Sequence, residues 1–366
     1  ADVTNSQAII TSYSPYRPFT SIQESGLYIK ELENSELTYE KKHELNIGAD
    51  MGFLNNRINL AVDWYKRNNY DLIGIVNTQG AGGQILKYAN IASMKSHGIE
   101  FTLSTKNIKT KDFNWNTDFI FSNAKNEVTD LKQNANVMEL ISGNGFAKQG
   151  YPVRGLFSIP FVGLDKDGIP VIINEKGEAT STDINFQERQ NTGFLKYEGP
   201  TDPTITGSLG NMFSYKGFRL NLFITYSFGN VIRLNPVFKA YYSDLTAMTR
   251  EFKNRWTLPG DEAKTNVPAI LSKRMYDSNE DLKYAYNAYN YSTERIAKGD
   301  FIRLKEISLA YDFPKAWINP LKLTDLSLKV QATNLFLIYA DDKLNGQDPE
   351  FFNAGGVASP VPRQFT

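Results

Sequence analysis

The chain has 366 residues, no cysteine, and 40 basic against 40 acidic side chains. Without cysteine there is neither a disulfide framework nor a thiolate metal site, and balanced charge gives no footing for nucleic acid or a strongly charged ligand. Mean hydropathy is slightly negative, and no run nears the roughly 18 apolar residues of a membrane helix, which excludes a helical span but not a barrel of strands.

Ala1 to Thr11 shows neither a basic nor an apolar leader pattern, and Thr11 to Thr20, with Pro15 and Pro18, reads as irregular surface. From Leu45 the pattern changes to period-2 alternation, which puts one set of side chains on each face of a strand. Leu45, Ile47, Ala49, Met51 and Phe53 alternate with Asn46, Gly48, Asp50 and Gly52. Ile58, Leu60, Val62 and Trp64 do so with Asn59, Ala61, Asp63 and Tyr65. The same holds for Ile99, Phe101 and Leu103, and for Phe113, Trp115, Thr117, Phe119 and Phe121. Ile205 to Tyr215 is less regular, whereas Phe218 to Phe228 alternates throughout. In Phe301 to Tyr311 the apolar parity changes near Leu304 to Ile307, which predicts a bulge. Leu326, Leu328, Val330 and Ala332 face away from Ser327, Lys329, Gln331 and Thr333.

These segments predict antiparallel strands near 42–53, 57–68, 96–105, 113–122, 205–215, 218–228, 300–312 and 326–336, with a ninth opening at Pro362. Short connections at Leu54–Asn56, Lys106–Asp112, Lys216–Gly217 and Phe313–Asp325 alternate with long stretches at 69–95, 123–204, 229–299 and 337–362. A soluble sheet also alternates, but it rarely carries several long structureless loops. Membrane barrels do, with short turns on the periplasmic side and long loops outside. The fold predicted is therefore all-β, an antiparallel transmembrane β-barrel of which eight to nine strands lie here. Trp64, Tyr65, Phe53, Tyr215, Phe228, Tyr311, Phe313 and Phe336 fall where an interfacial aromatic girdle would. Asn46, Asp50, Asn59, Asp63, Asn114, Asn116, Asp118, Asn221, Lys329 and Gln331 would line a wet lumen or contact a plug; in a soluble sheet they would face solvent. An open sheet of about nine strands would leave unpaired edges in lipid, so further strands are expected to complete it.

Motifs for chemistry are weak. Gly80-Ala81-Gly82-Gly83 lacks the Gly-Lys-Ser/Thr of a phosphate loop. Asp165-Lys166-Asp167-Gly168 opens like a calcium loop, but its twelfth position is Lys176 instead of a bidentate Glu, so a polar turn is expected between two apolar runs. His43 and His97 sit on separate strands, and no carboxylate pair stands out as acid and nucleophile. Asn290-Tyr291-Ser292 matches a glycosylation pattern that chance supplies. Nothing calls for a catalytic residue or a cofactor.

Several segments resemble the SusC-like branch of the TonB-dependent outer-membrane transporters. Glu36-Leu37-Thr38-Tyr39-Glu40-Lys41 and Asn46-Ile47-Gly48-Ala49-Asp50 are similar to that family's L-T-W-E-K and N-I-G-L-D. Phe53-Leu54-Asn55-Asn56-Arg57-Ile58 and Val62-Asp63-Trp64-Tyr65 resemble its next hairpin; Gly150-Tyr151-Pro152-Val153 and Tyr215-Lys216-Gly217-Phe218 resemble a loop segment and a turn. Gly299 to Leu309, Ala332-Thr333-Asn334-Leu335-Phe336 and the Pro-x-Pro-Arg at Pro360 follow in the family's order. The resemblance implies that residues 1–366 are the C-terminal part of a larger, 22-stranded barrel, with 1–41 an incoming extracellular loop. It implies a non-enzymatic importer of oligosaccharides or oligopeptides in the outer membrane of a Gram-negative bacterium. The partners implied are a SusD-like surface lipoprotein and, through a plug domain outside this sequence, TonB. Tyr241, Tyr242 and Trp256, in the long loops, are the candidate ligand-stacking aromatics. A secreted β-rich carbohydrate-binding module is the alternative.

Overall fold

The computed structural model describes residues 10–14, 26–31, 34, 36–78, 80, 86–238, 248–352 and 362–366. Nine strands form one antiparallel meander in chain order: β1 (Lys41–Phe53), β2 (Ile58–Asn77), β3 (Leu86–Lys109), β4 (Phe113–Leu131), β5 (Ile205–Tyr215), β6 (Phe218–Phe228), β7 (Phe301–Asp312), β8 (Ser327–Ala340) and β9 (Gln364–Phe365). Ile10–Ser14 and Gly26–Glu31 pair as a separate hairpin. Tight turns set the register. Leu54, Asn55 and Asn56 take φ of 54, 55 and 59°, and Lys216 and Gly217 take 44 and 92°, the left-handed geometry that matches the twist of a hairpin.

β5 and β6 have the predicted bounds, because no irregularity interrupts their pairing from Ile205↔Phe228 to Tyr215↔Phe218. The parity change in β7 is a bulge at Lys305: Leu304 pairs with Ile224 and Phe336, while Glu306 pairs with Phe223 and Thr333. Across from it Asn334 has φ of 53°.

Residues 69–95 are not the long loop expected. β2 and β3 run 20 and 24 residues, and their ladder resumes beyond an irregularity between Asn69 and Leu72 to reach Asn77↔Leu86. Asp71, at φ 56°, resets the parity there, so the alternation breaks where the strand does not. Asn90 holds the site: its Nδ2 donates to the carbonyls of Asp71 (2.5 Å) and Thr38 (2.9 Å), and its Oδ1 accepts from the Thr38 amide (2.7 Å). β4 likewise extends to Leu131.

Among the described residues the connections after β4 and β6 also carry ordered elements, contrary to their reading as structureless. The segment after β4 carries α1 (Val137–Ile141) and short strands at Gly155–Ser158, Phe161–Leu164, Pro170–Ile173 and Lys196–Pro200. The segment after β6 carries α2 (Leu282–Asn290). α1 starts with a capping box, Asn136 accepting from the Glu139 amide and Glu139 from the Asn136 amide. α2 buries Leu282, Ala285, Tyr286, Ala288 and Tyr289, a stripe at helical spacing. Its Ala288 joins Val137, Leu140, Ile141, Phe157, Ile159, Ile172 and Leu195 in one core. Backbone bonds from Ile159 N to Tyr291 O and from Thr293 N to Ile159 O, both 3.1 Å, join the two connections directly.

Candidate functional site: a two-faced wall under a folded cap

Register assigns each face of the sheet its chemistry. Met51, Leu60, Leu103, Phe119, Leu209, Ile224, Leu304 and Phe336 are successive direct partners, an unbroken apolar row across eight strands. One residue along, on the opposite face, the row is Gly52, Asn59, Ser104, Asp118, Gly210, Phe223, Glu306 and Thr333. All ten residues predicted to line the lumen lie on this second face. Ser104 Oγ donates to Asp118 at 2.6 Å and Arg219 pairs with Asp312 at 2.8 Å.

The apolar face leaves Leu45, Ile47, Phe53, Trp64, Tyr215, Phe218, Leu309, Val330 and Phe336 exposed, far beyond the scattered apolar residues of a soluble surface. Its interior polar groups satisfy one another. Asn211 Oδ1 accepts from Trp115 Nε1 (3.0 Å) and Thr117 Oγ1 (2.7 Å), and Asn107 Nδ2 donates to Thr117 (2.7 Å). Tyr65 lies on the polar face, where the alternation with Trp64 puts it and not in the girdle, and is buried against Gly98. A Cβ at Gly98 would lie 2.6 Å from the Tyr65 ring, so only glycine admits it.

The connections after β4, β6 and β8 form a cap at one end of the sheet, and it is held by three arginines that sequence reasoning did not single out. Arg233, buried, donates to the carbonyls of Ser292 (2.9 Å), Phe157 (2.5 Å) and Ile141 (3.3 Å). Burial lowers its pKa to about 9, against the opposing pull of Glu198. Arg295 reaches Asn235 O (2.6 Å) and Glu251 (2.7 Å). Arg303, on the polar face of β7, donates to both oxygens of Asp348 at 2.5 and 2.6 Å, with the side chains 3% and 1% exposed. This pair draws the connection after β8 onto the wall. Arg303 lies within the family-like segment Gly299 to Leu309, but nothing in the sequence marks any of the three as a buried clamp.

Of the candidate ligand residues, Tyr241 and Tyr242 lie outside the described residues. Trp256 is half-buried in the cap, its Nε1 donating to Glu262 at 3.0 Å and its ring against Gly168. The Asp165–Gly168 segment is the polar turn expected: Asp165 Oδ1 accepts from the amides of Asp167 and Ile169, both at 2.9 Å. Asn290 is structural, its Oδ1 capping the amides of Val237 and Phe238. His43 and His97 are separated by β2, and among the described residues no group of three or more His, Asp or Glu could hold a metal. An open hollow of about 290 Å³ lined by Asp50, Asn59, Thr102 and Ser104 lies on the polar face.

No family model matches the chain. Among curated proteins it is 25% identical to TonB-dependent receptor P3 of Formosa agariphila, over 93% of this chain and 34% of that protein. It is 26% identical to TonB-dependent receptor SusC of Bacteroides thetaiotaomicron, over 91% of this chain and 32% of that protein. The chain thus spans about a third of the length of the curated relatives it matches. Among solved structures it superposes on a chain of the RagAB peptide transporter with a TM-score of 0.73 at 23% identity, covering 98% of this chain and 38% of that one. The resemblance carried by the motifs, to SusC-like TonB-dependent receptors, extends over nearly the whole chain, and the fold agrees with it.

Proposed function

We propose, from a chain that shares its sequence pattern and fold with the SusC-like TonB-dependent receptors, that it forms the C-terminal part of an outer-membrane nutrient importer. The observation that carries this reading is the wall itself: one face apolar across eight strands, the other polar, beneath a folded cap. From the row of Phe113 to that of Asn123 the apolar face spans ten residues, about 33 Å along the strand and about 24 Å across at a tilt near 45°, the height of a barrel's lipid-facing band. In lipid the open sheet edges of β1 and β9 would leave backbone groups unpaired at several kcal/mol each, so further strands of the same barrel close it. The short turns face the periplasm and the cap faces outward, with residues 1–41 an extracellular loop leading in.

In this reading the receptor takes up oligosaccharides or oligopeptides without transforming them, driven by TonB through a plug inside the polar face. A SusD-like lipoprotein lies over the cap, and Trp256, with Tyr241 and Tyr242, contacts cargo. The wall is tested by mass spectrometry of what co-purifies with the chain from detergent-solubilised outer membranes. Barrel strands, a plug and a lipoprotein of similar abundance are expected; recovery of the chain alone in the aqueous fraction would refute the reading. Cargo contact is tested by Trp256→Ala, which should weaken uptake while leaving receptor abundance unchanged.

A further inference from the structure

The end of the sheet opposite the cap carries charge that the importer reading does not use. Four short connections lie there, at 54–57, 109–112, 216–217 and 312–326. They hold six cations, Arg57, Lys109, Lys111, Lys216, Lys315 and Lys322, against the three carboxylates Asp112, Asp312 and Asp325. Asp312 is engaged by Arg219, and among the described residues none of the five lysines forms an ion pair. The four turns, which join eight strands in pairs, therefore share an excess of positive charge along one rim.

Apolar groups meet that rim. An aromatic chain descends from the apolar face to the last connection: Phe218 to Tyr311 at 4.5 Å, Tyr311 to Phe313 at 5.0 Å, and Phe313 to Trp317 at 6.5 Å. The last connection is ordered. Ile318 is buried, Leu323 N donates to Ile318 O (3.3 Å) and Phe313 N to Leu326 O (3.0 Å). Ordered in this way, it leaves Trp317 63% and Leu321 66% exposed, flanked by Lys315 and Lys322. Lys216 lies over the Tyr215 ring at 5.4 Å, its stem on the aromatic edge and its ammonium at the rim. Aromatic bodies at the edge of an apolar band, with lysines beyond them, have the composition of a membrane interface.

We propose that this rim binds anionic phospholipid headgroups of the leaflet on the short-turn side. Trp317 and Leu321 sit at the boundary between headgroups and acyl chains, and Lys111, Lys216, Lys315 and Lys322 lie on the phosphates. The proposal rests on the barrel reading and commits to lipid because the basic rim is continuous with the apolar band, not set apart from it. A lysine near an anionic surface is worth about a fivefold preference, screened by salt.

The test uses the intact receptor reconstituted in bilayers, with spin-labelled phosphatidylglycerol and phosphatidylcholine reporting the motionally restricted fraction of each. The expected result is a preference for phosphatidylglycerol of about fivefold or more at low salt, collapsing in 1 M salt where the screening length is about 3 Å. The quadruple variant K111Q/K216Q/K315Q/K322Q should bring the preference close to one, and the corresponding Lys→Arg variant should keep it; heat-modifiable migration on gels verifies that both are folded. A wild-type receptor without preference, or a Gln variant that keeps it, overturns the proposal, as it would if the lysines served an acidic protein segment instead. Failure of the barrel reading looks different, because then neither lipid shows a restricted fraction.

Discussion

Replacing Asp348 with asparagine should release the connection after β8 from the wall while leaving the sheet intact. Arg303 and Asp348 are almost wholly buried and bonded at 2.5 and 2.6 Å. The amide keeps the shape and can still accept from the Glu350 amide (3.1 Å), so the change isolates the charge. Breaking a buried pair from one side costs about 3–5 kcal/mol, because the remaining charge has no counterpart. Glu350, 3.3 Å from Arg303 Nε but 37% exposed, offsets part of this. A net of about 2–3 kcal/mol remains, roughly a 30- to 140-fold rise in local opening. The assay is hydrogen exchange at Leu344, Gln347 and Phe351, whose amides donate within this connection, with β5 and β6 as internal reference. Arg303→Met combined with Asp348→Asn removes both charges and should restore most of the protection. The reasoning is refuted if D348N exchanges within about threefold of wild type, or if the double variant is as open as the single one.

Arg233→Met should leave the carbonyls of Ile141, Phe157 and Ser292 without their donor, at a cost of about 3 kcal/mol or more; protease should then cut near 141–158 much faster, with Arg233→Lys intermediate. Gly98→Ala brings a Cβ within 2.6 Å of Tyr65 and 2.7 Å of the Asn123 carbonyl, costing about 1–3 kcal/mol. Less heat-modifiable receptor should form, and Tyr65→Ala should rescue it only in part because the carbonyl remains. The Asp261 carboxylate accepts from Leu258 N, from Thr257 N and Oγ1 and from Lys264, which hold its pKa at about 2 against an ordinary 3.8. A depressed acid stabilises fully above its ordinary value and loses that contribution as pH falls through the depressed one. Exchange at Leu258 should therefore rise between pH 4 and 2, and Asp261→Asn should flatten the change.

Legibility in the sequence followed the continuity of parity. β6 could be bounded to the residue because its alternation is unbroken; β5, less regular in sequence, keeps the expected bounds because it pairs with β6 without interruption, and even the bulge at Lys305 announced itself as a change of phase. The far halves of β2 and β3 could not be read, because Asp71 resets the phase and period-2 counting stops there. The two faces were legible, and alternation put Tyr65 on the polar one; what misled was residue type, because an aromatic beside Trp64 reads equally well as interface. The cap was hidden for another reason. Its core is assembled from runs of four or five residues too short to show a period, and it is closed by a segment more than a hundred positions away, as with Ile159 and Ser292. A buried arginine that satisfies carbonyls from three segments leaves no trace in local composition.

The sharing of one core by the connections after β4 and β6 limits how this end of the molecule can move. Ile159 exchanges backbone bonds with residues 291 and 293, and Ala288 sits among side chains of the other segment, so neither connection can swing aside alone without tearing a sheet-like contact and exposing apolar surface. Motion at the mouth is therefore expected as displacement of both connections in one piece. The bending falls where they rejoin the strands, near Gly229 at φ 84° and around residues 199–204. A partner that grips either connection would then carry the other along, so one point of attachment suffices to shift the whole mouth.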